Sequence, residues 1–105
     1  MVDKYILVVP SNPLDGLDDL YNHWYDDVHL ADVCAIPGFT GAKRYRADAA
    51  WPNPTQTKYL AIYQLETDDP GTALAELVRR ANEGEMDISP ALDRKTARMT
   101  LYRVC

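Results

Sequence analysis

The sequence is poor in cysteine, in positive charge and in long apolar runs, and each shortage excludes a class of protein. Cys34 and Cys105 are its two cysteines, too few for a disulfide framework, which fits a reducing compartment. No apolar run approaches the roughly 18 residues that a membrane-spanning helix needs. The apolar stretch at residues 5–9 is too short for a secretory signal and follows an acidic flank. We therefore expect a cytoplasmic protein.

Positive charge is scarce because 11 Lys and Arg stand against 16 Asp and Glu, a formal net charge of −5. Nucleic-acid binding needs clustered basic side chains, so we expect no nucleic-acid partner. The short basic runs at 43–46 and 94–98 are typical of solvated strand edges or loops. His23 and His29 are six positions apart, on different faces of a helix, and no Gly-rich phosphate loop is present. We therefore expect no metal site and a small molecule as partner.

The 105 residues, 47% hydrophobic and 26% charged, predict a single domain over residues 1–105. Hydrophobic periodicity predicts strands at 5–9, 39–47, 58–66 and 96–104. A first helix follows a cap at Asp15 or Asp18 and ends at Pro37-Gly38. A second helix begins at Asp69-Pro70 and ends at Gly84, and Ser89-Pro90 is expected to open one helical turn. Residues 48–57 are expected to form a loop.

Alternation assigns the strand side chains to faces of the sheet. In the second strand one face is expected to carry Phe39, Gly41, Lys43 and Tyr45, with Arg44 and Arg46 opposite. In the third strand one face is expected to carry Tyr59, Ala61, Tyr63 and Leu65. The first helix has an apolar stripe, which comprises Leu17, Leu20, Tyr21, Trp24, Val28, Ala31 and Ala35.

The order β-α-β-β-α-β predicts the α+β ferredoxin-like arrangement, a four-stranded antiparallel sheet with two helices on one face. The strands also carry apolar residues on the side away from the helices. That side needs a cover, and pairing of two sheets in a homodimer is the expected solution.

One segment resembles a known family. It matches the pattern N-x-W-Y-x-x-x-H-x-x-D-V-x-x-I-P-G-F, followed by A-x-R-Y. The matching residues are Asn22, Trp24, Tyr25, His29, Asp32, Val33, Ile36, Pro37, Gly38, Phe39, Ala42, Arg44 and Tyr45. The segment is similar to the EthD-like branch of the dimeric α+β barrel superfamily. The resemblance implies two sheets paired into a barrel and a pocket in each protomer between sheet and helices.

That superfamily includes cofactor-free monooxygenases, lactone isomerases, polyketide cyclases and haem enzymes, so the fold does not select a reaction. The haem-using relatives place their ligand histidine in the second half of the fold, where this chain has none. We therefore expect no cofactor. A lactone isomerase of the superfamily uses a cysteine, but the position of Cys34 does not match it and a small buried thiol is the simpler interpretation.

His29 is the leading catalytic candidate, because imidazole titrates near neutral pH and serves as acid or base without a metal. The helical spacing places His29 at the margin of the apolar stripe, where a structural or surface role is the alternative. The resemblance implies that the matching histidine lies at the pocket. Asp32, three residues on, is expected to orient the ring, and Asp26 is an equally spaced alternative.

The aromatic residues supply the rest of the predicted site. Tyr45 and Tyr63 are candidate phenol donors to a carbonyl or enolate oxygen, with plain core packing as the alternative. Trp24, Tyr25, Tyr59 and Trp51 are candidate substrate-binding residues, Trp51 from the predicted loop.

The residues favour a cofactor-independent enzyme of isomerase, lyase or cyclase type, acting by acid–base chemistry on a small apolar carbonyl or phenolic compound. The alternative is a non-catalytic binding or accessory protein of a catabolic or biosynthetic pathway. Cofactor-free monooxygenation of a polyphenol is the third option.

Overall fold

An antiparallel sheet organises the fold in a computed structural model that describes residues 2–51 and 57–105. The strands in these ranges are β1 Asp3–Pro13, β2 Phe39–Arg46, β3 Tyr59–Thr67, β4 Leu92–Asp93 and β5 Thr100–Arg103. The order is β2-β3-β1, and both β4 and β5 pair with the far side of β1. This confirms the predicted ferredoxin-like order, with the two-residue β4 as an addition that the sequence did not predict.

The helices follow the predicted positions, with one irregularity. The first helical segment runs from residue 18 to 34 and comprises α1 Asp18–Trp24, a π turn Tyr25–His29 and α2 Leu30–Cys34. The other helix, α3, is Pro70–Asn82, and the Asp69 side chain caps it by accepting from the Thr72 N–H at 3.1 Å. Gly38, with φ +101°, turns the chain from α2 into β2, because this conformation suits a residue without Cβ. The Ser89 segment forms a turn without becoming a helix.

The core lies between one sheet face and the helices. Tyr59, Ala61, Tyr63 and Leu65 of β3 are all buried, which confirms the predicted face of that strand. Tyr5 and Leu7 of β1 are buried beside them, and the helices contribute Tyr21, Trp24, Val33, Ala73 and Leu77. The side chains that alternate with these in β1 and β3 face away from the helices.

The predicted face of β2 is wrong, because a bulge lies between Phe39 and Gly41. Phe39 pairs with the buried Leu65, but Gly41 pairs with Gln64, so one residue is inserted. Past the bulge, Arg44 lies opposite the buried Ala61 on the helix side. Lys43 and Tyr45 therefore lie on the open side.

The last strand is shorter than predicted, because residues 94–99 do not pair as a strand. Turn hydrogen bonds hold this segment instead: the Thr96 hydroxyl donates to the Asp93 carbonyl at 2.7 Å and accepts from the Asn12 N–H at 2.8 Å. The Arg98 N–H donates to the Pro10 carbonyl at 3.2 Å. We call residues 94–98 the basic segment. Of the predicted loop 48–57, residues 52–56 lie outside the described residues.

The sheet face away from the helices carries an apolar patch, with the polar side chains of Lys4, Lys43, Gln64 and Glu66 beside it. Its half-buried side chains include Ile6, Val8, Leu60 and Ile62, and its exposed rings are Tyr45 and Tyr102. We call this surface the open sheet face. Within residues 2–51 and 57–105, none of the helices has the length and apolar character needed to cross a membrane.

Candidate functional site

A cavity of about 570 Å³ lies between the sheet, both helical segments and the basic segment. Its walls are mainly aliphatic and include Val9, Val33, Leu77, Met86, Ile88 and Leu92. Trp24 and Tyr25 add aromatic surface, and further polar side chains come from Ser11, His29, Tyr63, Asn82, Arg94 and Arg98. An apolar cavity of this volume with a few polar groups is typical of a small-molecule site.

The π turn places His29 in this cavity. The Leu30 N–H donates to the Tyr25 carbonyl five residues earlier, as a π turn requires. Residues five apart thereby come onto one side of the helix, and His29 stacks on Trp24 with ring centroids 4.4 Å apart. The Tyr25 ring meets His29 edge-on at 5.0 Å. His29 therefore lies deeper than a regular helix predicts.

Burial changes the chemistry of His29. Desolvation lowers its pKa to about 4, because the charged imidazolium loses the solvation of water. The Nδ1 atom is buried and has no hydrogen-bond partner among the described residues. The ring is thus a neutral base at neutral pH with one nitrogen unsatisfied.

Tyr63, on β3, brings a second unsatisfied polar atom to the cavity. Its hydroxyl is buried and meets no partner in good hydrogen-bond geometry within the described part of the chain, although, besides burial itself, the nearby Tyr25 phenol contributes to its raised pKa. Burial raises the pKa of Tyr63, and burial likewise raises the pKa of Tyr25. Both phenols therefore stay protonated at neutral pH and are able to donate hydrogen bonds.

The predicted carboxylate partner of His29 is not found. Asp32 is half-buried. Within the described residues 2–51, it makes no hydrogen bond or ion pair with His29. Asp26, the alternative, binds Arg44 Nη1 at 2.9 Å. The His29 ring stacks on Trp24, towards the start of the helical segment, whereas Asp32 follows towards its end.

Three other predicted site residues lie outside the cavity. Tyr45 is on the open sheet face and 44% exposed, because of the bulge in β2. Tyr59 is buried, but its hydroxyl donates to Asp18 Oδ2 and accepts from Asn22 Nδ2, each at 3.2 Å. Trp51 is 76% exposed. Of the predicted set, the cavity brings together Trp24, Tyr25, His29 and Tyr63.

Arg44 is a residue that sequence reasoning assigned to the wrong face. Its side chain is only 12% exposed, and its guanidinium lies 4.5 Å from the Tyr25 ring centroid. Arg44 Nη2 donates to Asn22 Oδ1 at 2.8 Å, and Nη1 donates to Asp26. Asn22 and Arg44 both belong to the family pattern quoted above. Their shared presence in that pattern was the sequence signal for this contact. Arg44 thus fixes β2 to the first helical segment beside Tyr25.

Cys34 is half-buried, does not line the cavity, and has a pKa raised by burial, so its environment does not favour a thiolate nucleophile. Within the described residues, no three His, Cys, Asp or Glu side chains cluster closely enough to hold a metal ion.

No family model matches this chain, and no curated protein matches it by sequence. Solved structures do match it. A proposed monooxygenase from Shewanella loihica PV-4 superposes with a TM-score of 0.63 at 17% identity, over 100% of this chain and 97% of the other. The heme-degrader MhuD from Mycobacterium tuberculosis, with two hemes bound in its active site, gives 0.60 at 19% identity over 95% and 94%.

An ethyl tert-butyl ether degradation (EthD) family protein from Bacillus halodurans C-125 gives a TM-score of 0.57 at 18% identity, over 100% of both chains. Identities this low establish the fold and nothing about the reaction. The likeness to EthD-type ferredoxin-like proteins, predicted from the helix pattern, is confirmed at the level of fold.

Proposed function

We propose that the cavity binds a small, largely apolar carbonyl or phenolic compound and carries out acid–base chemistry on it without a resident cofactor. One observation supports this most directly: His29 Nδ1 is buried without a partner, the buried Tyr63 hydroxyl has only the Tyr25 phenol near it and no partner in good hydrogen-bond geometry, and both residues line the same cavity. A buried polar group without a partner costs about 1–3 kcal/mol. A ligand with an acidic proton and a carbonyl or phenol oxygen offsets that cost.

His29 is the base in this proposal. Its imidazole is neutral at neutral pH and takes a proton from an O–H, or from a C–H beside a carbonyl. A group with a pKa of about 4 is a weak base. The proton that it removes must therefore be acidic, such as that of a phenol O–H or of a C–H flanked by a carbonyl group. The anion that forms stabilises the imidazolium, which returns the proton to another atom of the substrate. Return of the proton to another carbon is an isomerisation. If the anion instead expels a leaving group, which takes the proton, the reaction is an elimination; if its carbon bonds to a second carbonyl carbon of the substrate, whose oxygen takes the proton, the reaction is a cyclisation.

Tyr63 is the oxyanion partner. Its phenol keeps its proton because its pKa is raised, and it donates a hydrogen bond to the oxygen on which negative charge develops. A donor held in an apolar site stabilises that charge more strongly than water does. Trp24 and Tyr25 hold the His29 ring by stacking and edge contact, the role that the sequence assigned to a carboxylate.

Two other functions remain as alternatives. A non-catalytic binding protein would use the same cavity without needing His29 as a base. A cofactor-free monooxygenase is supported by the fold likeness to the Shewanella loihica protein, and it would consume dioxygen.

Substitution of His29 by Ala, with His23→Ala as the matched control, tests the proposal. Binding and turnover are measured together on cyclic ketones, lactones and phenols, with dioxygen monitored by electrode. We expect His29→Ala to lower turnover about 100-fold or more, the usual contribution of a general base, while binding changes little. Unchanged turnover would remove His29 from the mechanism, and stoichiometric dioxygen uptake would replace the proposal by oxygenation. His23, whose side chain is 77% exposed, should have no effect.

We also propose that two protomers pair through the open sheet face. The supporting observation is the apolar patch of that face, with Tyr45 and Tyr102 exposed upon it by 44% and 53%. Contiguous apolar surface of this kind is typical of an interface.

A further inference from the structure

The basic segment carries cations without acidic partners at the cavity. Six Lys and Arg side chains form ion pairs, namely Lys4, Arg44, Lys58, Arg79, Arg80 and Arg103. Within the described ranges, Arg94, Lys95 and Arg98 pair with no carboxylate, in a chain whose net charge is −5. Arg94 and Arg98 line the cavity. Unpaired arginines beside a ligand cavity are available to an anion of the ligand.

The segment holds these arginines in a defined place. The Thr96 hydroxyl connects it to β1 and to Asp93, and the Arg98 N–H is bonded to Pro10. Arg98 Nη1 also donates to the Lys95 and Ala97 carbonyls at 2.9 and 2.8 Å, which orients the guanidinium. A guanidinium with fixed orientation loses less entropy when it binds an anion.

We propose that the ligand is an aromatic carboxylate, whose acid group binds Arg94 and Arg98 at the cavity mouth while its ring enters between Trp24 and the aliphatic walls. The inference deepens the function proposed above and rests on the same cavity. Both arginines are exposed, whereas His29 Nδ1 and the Tyr63 hydroxyl are buried. The carboxylate thus stays at the solvent side and directs the reacting oxygen inwards. A planar carboxylate matches the guanidinium fork, and apolar walls accept the ring.

The test compares two probes of the same shape, 2-naphthoate and the neutral 2-naphthamide, by titration calorimetry on the full chain. We expect the acid to bind about ten-fold more tightly, a difference of about 1.4 kcal/mol. This preference should shrink at high salt, because the guanidinium groups are at the surface. A shift of the Met86 methyl resonance on titration with either probe locates binding in the cavity, which Met86 lines.

Substitution of each arginine in turn tests its part in binding the carboxylate. Arg94→Gln and Arg98→Gln should each lower the affinity for naphthoate about three- to ten-fold and leave that for naphthamide unchanged. Lys95→Gln is the matched control, since it removes the same charge from the same segment but does not line the cavity. Equal affinity of the unsubstituted protein for acid and amide would overturn the inference, as would an unmoved Met86 resonance or an equal effect of Lys95→Gln.

The preference for the acid should persist in His29→Ala. The two proposals can therefore fail separately: the carboxylate inference fails on the acid–amide comparison, whereas the acid–base function fails on unchanged turnover in that variant.

Discussion

His29 stacks on Trp24 with ring planes 26° apart, although the two residues are five positions apart in the chain. On a regular α-helix the side chains that meet are three or four apart. The π turn Tyr25–His29 aligns residues five apart instead, which half-buries His29 and buries its Nδ1 atom. A local irregularity of the backbone is therefore the origin of the low pKa of His29.

The pH dependence of stability should report this burial. An unfolded chain protonates His29 with a pKa near 6.5, whereas the folded protein does so only near 4. Between these values the unfolded state binds more protons, so the contribution to stability is complete above about pH 6.5 and is lost as pH falls towards 4. From pH 7 to pH 5 the free energy of unfolding should drop by about 2 kcal/mol through His29.

Urea unfolding at the two pH values measures this, with two variants for comparison. His29→Phe keeps an aromatic ring on Trp24 but does not titrate, so its pH-dependent loss should be smaller by about the same amount. His23→Gln should keep the drop that His29 causes, because it leaves the buried imidazole untouched and removes only the exposed pair of His23 Nδ1 with Asp27 Oδ2 at 2.8 Å. If the free energy of unfolding of His29→Phe fell between pH 7 and pH 5 as much as that of the unsubstituted protein, folding would not lower the pKa of His29.

Comparison of Tyr→Phe substitutions at Tyr63 and Tyr21 measures how each buried hydroxyl affects the stability of the fold. Tyr63→Phe removes a buried hydroxyl that has the Tyr25 phenol near it but no partner in good hydrogen-bond geometry, so stability should stay level or rise by up to about 1 kcal/mol. Tyr21→Phe removes a hydroxyl that bonds Ser11 Oγ at 2.5 Å, and should cost about 1–2 kcal/mol. Denaturant midpoints give both values, and the reverse order would contradict the assignment of Tyr63 as a ligand-facing group.

Sequence pattern predicted the parts of the fold that depend on repeated local signals. The Asp69-Pro70 start of α3 and the buried face of β3 follow from capping and strict alternation, and both are confirmed. Alternation failed in β2, because a single inserted residue reverses every later side chain; Gly41, a glycine inside the strand, was the local signal of the bulge.

The site was predictable in its members but not in their arrangement. Residue types identified His29 and Tyr63, yet no local signal in the sequence indicates the π turn Tyr25–His29 that stacks His29 on Trp24. The basic runs predict solvated strand edges or loops, since spacing alone does not show that the basic segment folds back on Pro10.

Arg44 should stabilise the packing of β2 against the first helical segment. Arg44→Lys keeps the charge but loses the simultaneous bonds to Asn22 and Asp26 and the stacking on Tyr25, so it should cost about 2 kcal/mol. Arg46→Lys, on an exposed side chain of the same strand, should change stability by less than about 0.5 kcal/mol. Equal, small effects of the two substitutions in urea unfolding would mean that the Arg44 contacts contribute nothing net.

Pairing through the open sheet face is tested at Ile62, which lies near the middle of that face on β3. Ile62→Lys places a charge where an apolar partner surface is proposed, and a desolvated, unpaired charge costs several kcal/mol. At micromolar concentration we expect sedimentation of the unsubstituted protein as a dimer and of Ile62→Lys as a folded monomer. Leu20→Lys is the control, because Leu20 is a 51% exposed apolar residue on α1, away from the open sheet face. A monomeric unsubstituted protein, or equal dissociation of both variants, would contradict the proposed interface.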